Sequence, residues 1–419
     1  MEDSDRDRMR DADRESSIVA ARRISPATAP ESPRAPDQRQ DASDPIPLRP
    51  VRGNDSVSRG DQIGRRWAAR AMAILRAERA RADETPLVRI PCPELPGITF
   101  VLKDESAHPT GSLKHRLAHA LFVHAIASGE VGPDTVIVEA SSGSTAISEA
   151  WFARLLGLRF VAVVPATTVA PKLEAIRTTG GDVVLAPPGA DLCTMAAEVA
   201  ADMGGHFMDQ FDRAAEATDW RGSNNIAENL IAQLATEGLG APAWIVAGAG
   251  TGGTSATIGR YLRFREHLAA TRLCVVDPEG SAYFKAFASG DAEIAGCASP
   301  VVEGIGRGRV AAAFQPGVID HMIAVDDEGS VSGAHWLEAR VGRRFGPSTG
   351  TNMIGALMLG HAMAARGQTG TIALIGCDDG ARYADTIYDS EWCLGQGLGF
   401  GGWRQLLQKI GNGMFPTAY

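Results

Sequence analysis

The chain has 419 residues, 44% of them hydrophobic, which is enough for a large core divided over two or three lobes. Its formal net charge of −9 gives no electrostatic case for nucleic acid, and no run of about 18 apolar residues suggests a membrane span. The six cysteines (Cys92, Cys193, Cys274, Cys297, Cys377 and Cys393) are scattered, with no CxxC pair and no Cys/His cluster. No metal site is therefore expected, and reduced thiols fit a cytoplasmic protein.

Residues 1–60 are rich in Arg, Asp, Ser and Pro and lack an apolar signal core, which predicts a disordered leader and no secretory signal. Trp67, Met72 and Leu75 stand at roughly helical spacing and predict a helix over 62–81, ended by Thr85-Pro86. A short strand follows at 87–90. From 99 onward β-branched, apolar strands alternate with helices. Strands are predicted at 99–102, 135–139, 160–164, 182–185, 244–247, 273–276, 321–325 and 371–375. Helices are predicted at 117–126, 146–156, 171–178, 191–203, 223–236, 255–270, 333–341 and 352–366. The alternation defines an α/β chain with mostly parallel sheets flanked by helices. Beyond 390 lies a Gly- and aromatic-rich tail with a short helix at 404–410.

Four stretches carry chemistry. HPTGSLKHR (108–116) sets Lys114 after a Pro/Gly turn at the mouth of a helix; alone, it reads as a solvated helix-end lysine. GAGTGGT (248–254) follows a strand and opens a helix, so its backbone N–H groups and the helix dipole suit a phosphate. The same stretch satisfies GxGxxG, and Asp277 ends the next strand where a ribose-binding acid would stand, so a nicotinamide-dependent dehydrogenase is a rival reading. GPSTG (346–350) matches the hydrolase nucleophile elbow GxSxG. However, no Asp or Glu lies between Ser348 and the last histidine, His361, so the triad order cannot be built. EASSGSTAIS (139–148) ends a strand in more hydroxyls than one helix cap needs, which suggests a carboxylate site.

Taken in order, HPTGSLKHR, SSGST (141–145), GTGGT (250–254) and GPSTG resemble the pyridoxal 5′-phosphate enzymes of the cysteine synthase and cystathionine β-synthase family. Further matching stretches are Asp209-Gln210-Phe211, DPEGSAYF (277–284), VEGIG (302–306) and DDGARY (378–383), so the resemblance covers roughly 84–390. It implies a fold-type II enzyme, tryptophan synthase β-like, with two lobes of mostly parallel sheet. Residues 61–98 would pack on the larger lobe. Residues 99–211 would form a smaller, mobile, substrate-binding lobe with the cofactor lysine. Residues 212–390 would form the larger lobe with the phosphate loop, and 391–419 a tail.

The resemblance also implies residue roles. Lys114 resembles the Schiff-base lysine, and Gly250, Thr251, Gly252, Gly253 and Thr254 the phosphate cup. Ser348 matches the partner of the pyridine nitrogen. Ser141, Ser142, Thr145 and Gln210 match the substrate-carboxylate positions, and Gly304 sits where the backbone faces the substrate. Ser144 stands where the family has an asparagine that bonds the cofactor, and Ala146 replaces a usual glycine. Whether Arg307 gates the site or is merely exposed is left open. A serine at the ring nitrogen cannot keep it protonated, which favours prompt loss of a β-leaving group. The implied substrate is a small amino acid and the implied assembly a homodimer. These features most resemble the L-cysteine desulfhydrase branch, with β-elimination to sulfide, pyruvate and ammonia. β-Replacement of the cysteine synthase kind is the alternative.

Overall fold

A computed structural model of the chain describes residues 59–82, 85–222, 225–299 and 301–399. The predicted leader to residue 58 and the predicted helix at 404–410 lie outside the described residues. The first elements are helix α1 (Arg59–Ala82), strand β1 (Leu87–Ile90), strand β2 (Ile98–Asp104) and helix α2 (Lys114–Ala127). Strands and helices then alternate as β3 (Ile137–Ala140), α3 (Ser144–Leu156), β4 (Phe160–Pro165), α4 (Ala170–Thr179), β5 (Asp182–Ala186), α5 (Leu192–Asp202) and β6 (His206–Phe207). Two helices, α6 (Gln210–Ala217) and α7 (Ile226–Thr236), lead into β7 (Trp244–Gly248), α8 (Gly253–Phe264), β8 (Arg272–Pro278) and α9 (Ala282–Ser289). The last elements are β9 (His321–Val325), α10 (Asp327–Val341), α11 (Pro347–Ala365), β10 (Gly370–Gly376) and α12 (Ser390–Gly395).

The strands form two sheets. A four-stranded sheet runs β5-β4-β3-β6, all parallel, and a six-stranded sheet runs β1-β2-β10-β7-β8-β9, parallel except for β1. Parallel strands must be covered on both faces, and the alternation along each strand shows how. In β8, Cys274 and Val276 face α11, whose Met353, Ile354 and Leu357 share their cluster. Leu273 and Val275 face α7 and α8 through Leu230, Leu234 and Ile258. In the smaller sheet, Ile137, Phe160 and Ala162 pack under α2 and α3, whereas Val138, Val161 and Val163 pack against Ala196 and Ala200 of α5.

Two expected boundaries change. Strand β2, assigned to the smaller lobe from residue 99, pairs in parallel with β10 along its whole length and belongs to the six-stranded sheet. Phe100 and Leu102 face one helical layer and Val101 the other, as a central strand requires. The smaller sheet is thus an insertion between two strands of the larger one. Helix α1, expected on the larger lobe, packs instead on the smaller one. Its Ala71 and Leu75 are buried in one cluster with Phe122 of α2 and Phe152 of α3.

Candidate active site

In parallel sheets a ligand site forms beyond the carboxyl ends of the strands, where connections diverge. Here β3 ends in Ser141–Thr145, β7 in the Gly248–Thr254 loop, and β10 in Cys377 and Asp378. All three border one cleft of about 670 Å³. Lys114 lines it, together with Ser141, Ser142, Ser144, Thr145, Gln210, Gly250, Thr251, Gly252, Thr254, Gly304 and Ser348. Of the residues expected from sequence, Gly253 alone does not. It opens α8, where a Cβ would stand 2.9 Å from the Ala214 Cβ, and it borders a smaller cavity behind Lys114.

Lys114 is the first residue of α2, and its approach is built from local constraints. Gly111 has φ +66°, the Leu113 N–H donates to the Cys377 carbonyl at 2.8 Å, and the Lys114 N–H donates to Ser112 Oγ at 3.1 Å. The turn is thereby tied to the end of β10. Lys114 Nζ lies 3.5 Å from where a Cβ on Gly250 would be, so the ammonium tip and the glycine loop face each other. Buried Glu105 accepts from Thr85 Oγ1 at 2.7 Å, pairs with His108 Nε2 at 2.9 Å and is ion-paired to Arg116 in the first turn of α2. Burial would raise this carboxyl, but Arg116 and His108 outweigh it and hold it well below the usual carboxylate range.

Two glycines of the loop have no room for a side chain. A Cβ on Gly250 would run into the Gly304 carbonyl, and one on Gly252, whose φ is +90°, would meet Phe314 Cα at 2.5 Å. Tyr283 stacks on Phe314 with ring centroids 4.3 Å apart, and its hydroxyl donates to the Gly250 carbonyl at 2.7 Å. The result is a bare backbone cradle at the start of α8, suited to a phosphate.

Ser348 lies in the first turn of α11 and is 2% exposed. Next to it, burial, followed by the nearby Asp378 charge, pushes the Cys377 thiol up to about 12, so it stays neutral. Thr145 Oγ1 donates to Gln210 Oε1 at 2.7 Å, which leaves the amide nitrogen of Gln210 as the donor towards the cleft. Gln210 follows Asp209, whose φ of 52° is the sole positive value among described non-glycine residues.

Asp378 and Tyr383 line the cleft with no role assigned from sequence, and Arg382 lies between them in the chain. Ser144 Oγ donates to Asp378 Oδ1 at 3.3 Å and accepts from Arg382 Nη1 at 2.7 Å, and Arg382 also donates to the Thr110 carbonyl. Tyr383 donates to the other Asp378 oxygen at 3.0 Å. DDGARY was read only as a matching stretch, and the pairing of Arg382 with Ser144 has no local signal. Arg307 lines the cleft with its guanidinium 3.7 Å from the Phe211 ring centre, so it is not merely exposed. Asp277, the candidate ribose acid, is fully buried and absent from the cleft lining. It accepts from the Phe284 N–H at 2.8 Å, which fixes the start of α9.

An α/β frame with a lysine, a glycine-rich phosphate cradle and a neutral serine in one cleft defines a pyridoxal-phosphate enzyme of the two-lobed kind, and these groups fit that cofactor. Residues 80–378 match the family described as pyridoxal-phosphate dependent enzyme, and the chain belongs to it. It is 49% identical to the L-cysteine desulfhydrase Cds1 of Mycobacterium tuberculosis, over 80% of this chain and 92% of that protein. It is 30% identical to a putative cysteine synthase of Sinorhizobium fredii, over 74% of this chain and 89% of that one. Among solved structures, a hydrogen sulfide-producing enzyme from Fusobacterium nucleatum superposes with a TM-score of 0.67 at 26% identity, covering 76% of this chain and 93% of the other. The nicotinamide reading of the glycine loop is thereby replaced.

Proposed function

We propose that the protein is an L-cysteine desulfhydrase, eliminating sulfide from the β-carbon of L-cysteine to leave pyruvate and ammonia. The observation that carries the choice of substrate is the 49% identity to the mycobacterial desulfhydrase over nearly all of that protein's length. The cofactor, when bound, supplies the electron sink that makes the substrate's Cα proton removable.

The chain's own groups would do the rest. The amides of Gly250, Thr251, Gly252, Gly253 and Thr254 hold the phosphate. Ser348 Oγ would accompany the pyridine nitrogen without a charge to keep it protonated. Lys114 Nζ would hold the cofactor and would take the substrate's Cα proton. Ser141, Ser142, Thr145 and the Gln210 amide nitrogen orient the substrate carboxylate, and the Gly304 backbone borders the same space. Ser144, held by Asp378 and Arg382, would border the cofactor. Cysteine synthase activity is the second reading, favoured by the Sinorhizobium relative.

A paired assay separates them. Sulfide and pyruvate released from cysteine alone should exceed cysteine formed from O-acetylserine plus sulfide; the reverse order would make the chain a synthase. Among the described residues no helix is long and apolar enough to cross a membrane. All six cysteines are free, which supports a cytoplasmic setting. The family resemblance supports a homodimer, which sedimentation of the holoenzyme tests.

A further inference from the structure

Behind the hydroxyl loop that follows β3 lie two carboxyl groups that the reaction as described does not use. Glu139, in β3, and Glu149, in the second turn of α3, are both completely buried. Glu139 is well partnered: Oε1 accepts from the Ala140 N–H at 2.7 Å and Oε2 from the Gln210 N–H at 3.1 Å. Glu149 meets no backbone amide, hydroxyl or cation among the described residues, and both its oxygens lack any such donor. Its polar neighbour is the Glu139 carboxyl, and each of the two acids acts on the other.

Two buried carboxyl groups in contact cannot both be ionised, so the pair retains a proton. Glu139 receives two amide N–H groups, which favour its carboxylate; Glu149 receives none, so the proton resides on Glu149 and is donated to Glu139. Burial raises both acids, Glu139 to about 7 and Glu149 well above its ordinary value, with Glu139 adding to the latter. The other titratable groups facing the pair are Asp209, at the start of α6, which also raises Glu139, and the Cys193 thiol of α5. Neither is a cation that would stabilise a second negative charge.

The two amides that Glu139 holds belong to the substrate side of the cleft. Ala140 begins the 140–145 loop, and Gln210 carries the side chain that Thr145 orients. We propose that Glu149 is a positioning residue: as the protonated partner it keeps Glu139 in place as a carboxylate, and Glu139 sets the 140–145 loop and Gln210 in register for the carboxylate of the amino-acid substrate. This rests on reading Ser141, Ser142, Thr145 and Gln210 as the substrate-carboxylate site. Loss of the shared proton at alkaline pH places two negative charges behind that site and weakens its hold on an anionic group, so KM rises while kcat changes little.

The test compares holoenzymes of the wild type, Glu149→Gln and Glu149→Leu on L-cysteine from about pH 6 to about pH 9. Glutamine keeps a donor for Glu139 but cannot ionise. Its KM should stay near the wild-type neutral value, and the alkaline rise of roughly tenfold expected in the wild type should be lost. Leucine removes the donor and should raise KM already at neutral pH. An infrared carbonyl band of a protonated carboxyl group, present in wild-type holoenzyme at neutral pH and absent from Glu149→Gln, reads the same assignment without turnover. A Glu149→Gln profile superimposable on the wild type, or an unchanged infrared band in that variant, overturns the proposal. Ser142→Ala and Gln210→Ala test the underlying reading separately: if neither raises KM, the carboxylate site is elsewhere, whatever Glu149 does.

Discussion

At the scale of single residues, the cleft sets Lys114 against a loop in which Gly250 and Gly252 cannot carry side chains, with uncharged Ser348 on the same lining. Lys114 and Ser348 are expected from the order of four motifs, which is specific although each alone is not, and both border the cleft. The surroundings of Ser144 were not legible. Its partners, Asp378 and Arg382, follow β10, and only the fold brings them to the start of α3. Ser348→Asp is expected to keep the cofactor bound while lowering kcat by at least about tenfold, because a carboxylate there would hold the ring nitrogen protonated and slow expulsion of the leaving group. Steady-state kinetics together with the visible spectrum check this; an unaltered kcat would remove Ser348 from that position.

At the scale of elements, most strands and helices followed from the alternation of β-branched runs with helical spacing, within a residue or two for strands such as β4, β9 and β10. The misses have physical causes. Strand β6 is only two residues long, too short for periodicity to register. Helices α6 and α9 begin in DQF and DPEGSAYF, which were read as motifs and not as helices. Two element-scale outcomes follow. Gly252→Ala places a Cβ against Phe314 in a backbone conformation that costs about 1–3 kcal/mol for other residues, and it distorts the cradle. The variant should lose cofactor on dialysis, with a Kd raised at least about tenfold.

Helix α2 also carries His115, stacked on His108 with ring centroids 4.9 Å apart. Burial, followed by repulsion from His108, lowers His115 from 6.5 to about 3. As pH falls, the unfolded chain takes up this proton before the folded one does. Stability is therefore lost progressively below about 6.5, down to about 3. Urea midpoints at about pH 7 and about pH 5 should differ less in His115→Gln than in the wild type, whatever the variant's absolute stability. An equal difference would assign the acid sensitivity to another group.

At the scale of the whole molecule, the smaller sheet is an insertion between β2 and β7 of the larger one, and the cleft lies where the two meet. The class of fold could be read from the chain, but not which sheet β2 joins or which lobe α1 packs on. Both depend on pairing with segments remote in sequence. Two exposed ion pairs stand at or near the cleft: Lys172 with Glu303 at 2.7 Å, both on its lining, and Arg309 with Asp191 at 2.9 Å, each next in sequence to a lining residue (Gly308 and Leu192). All four side chains are substantially exposed, so each pair contributes at most about 1 kcal/mol and is screened by salt. Lys172→Ala combined with Arg309→Ala should leave the thermal midpoint nearly unchanged and should abolish most of the salt dependence of KM for cysteine. A KM that still responds to salt as in the wild type would show that these pairs do not govern access to the cleft.

The central claim is that Lys114 in this cleft drives cysteine β-elimination through pyridoxal phosphate, and sulfide release from L-cysteine by matched wild-type and Lys114→Ala preparations tests it most directly. The wild type should be yellow, lose its colour to borohydride and release sulfide and pyruvate in equal amounts. Lys114→Ala should lack the borohydride-sensitive band and release neither above background. Sulfide release by Lys114→Ala at the wild-type rate, or a wild type that leaves cysteine untouched with cofactor bound, would contradict the account.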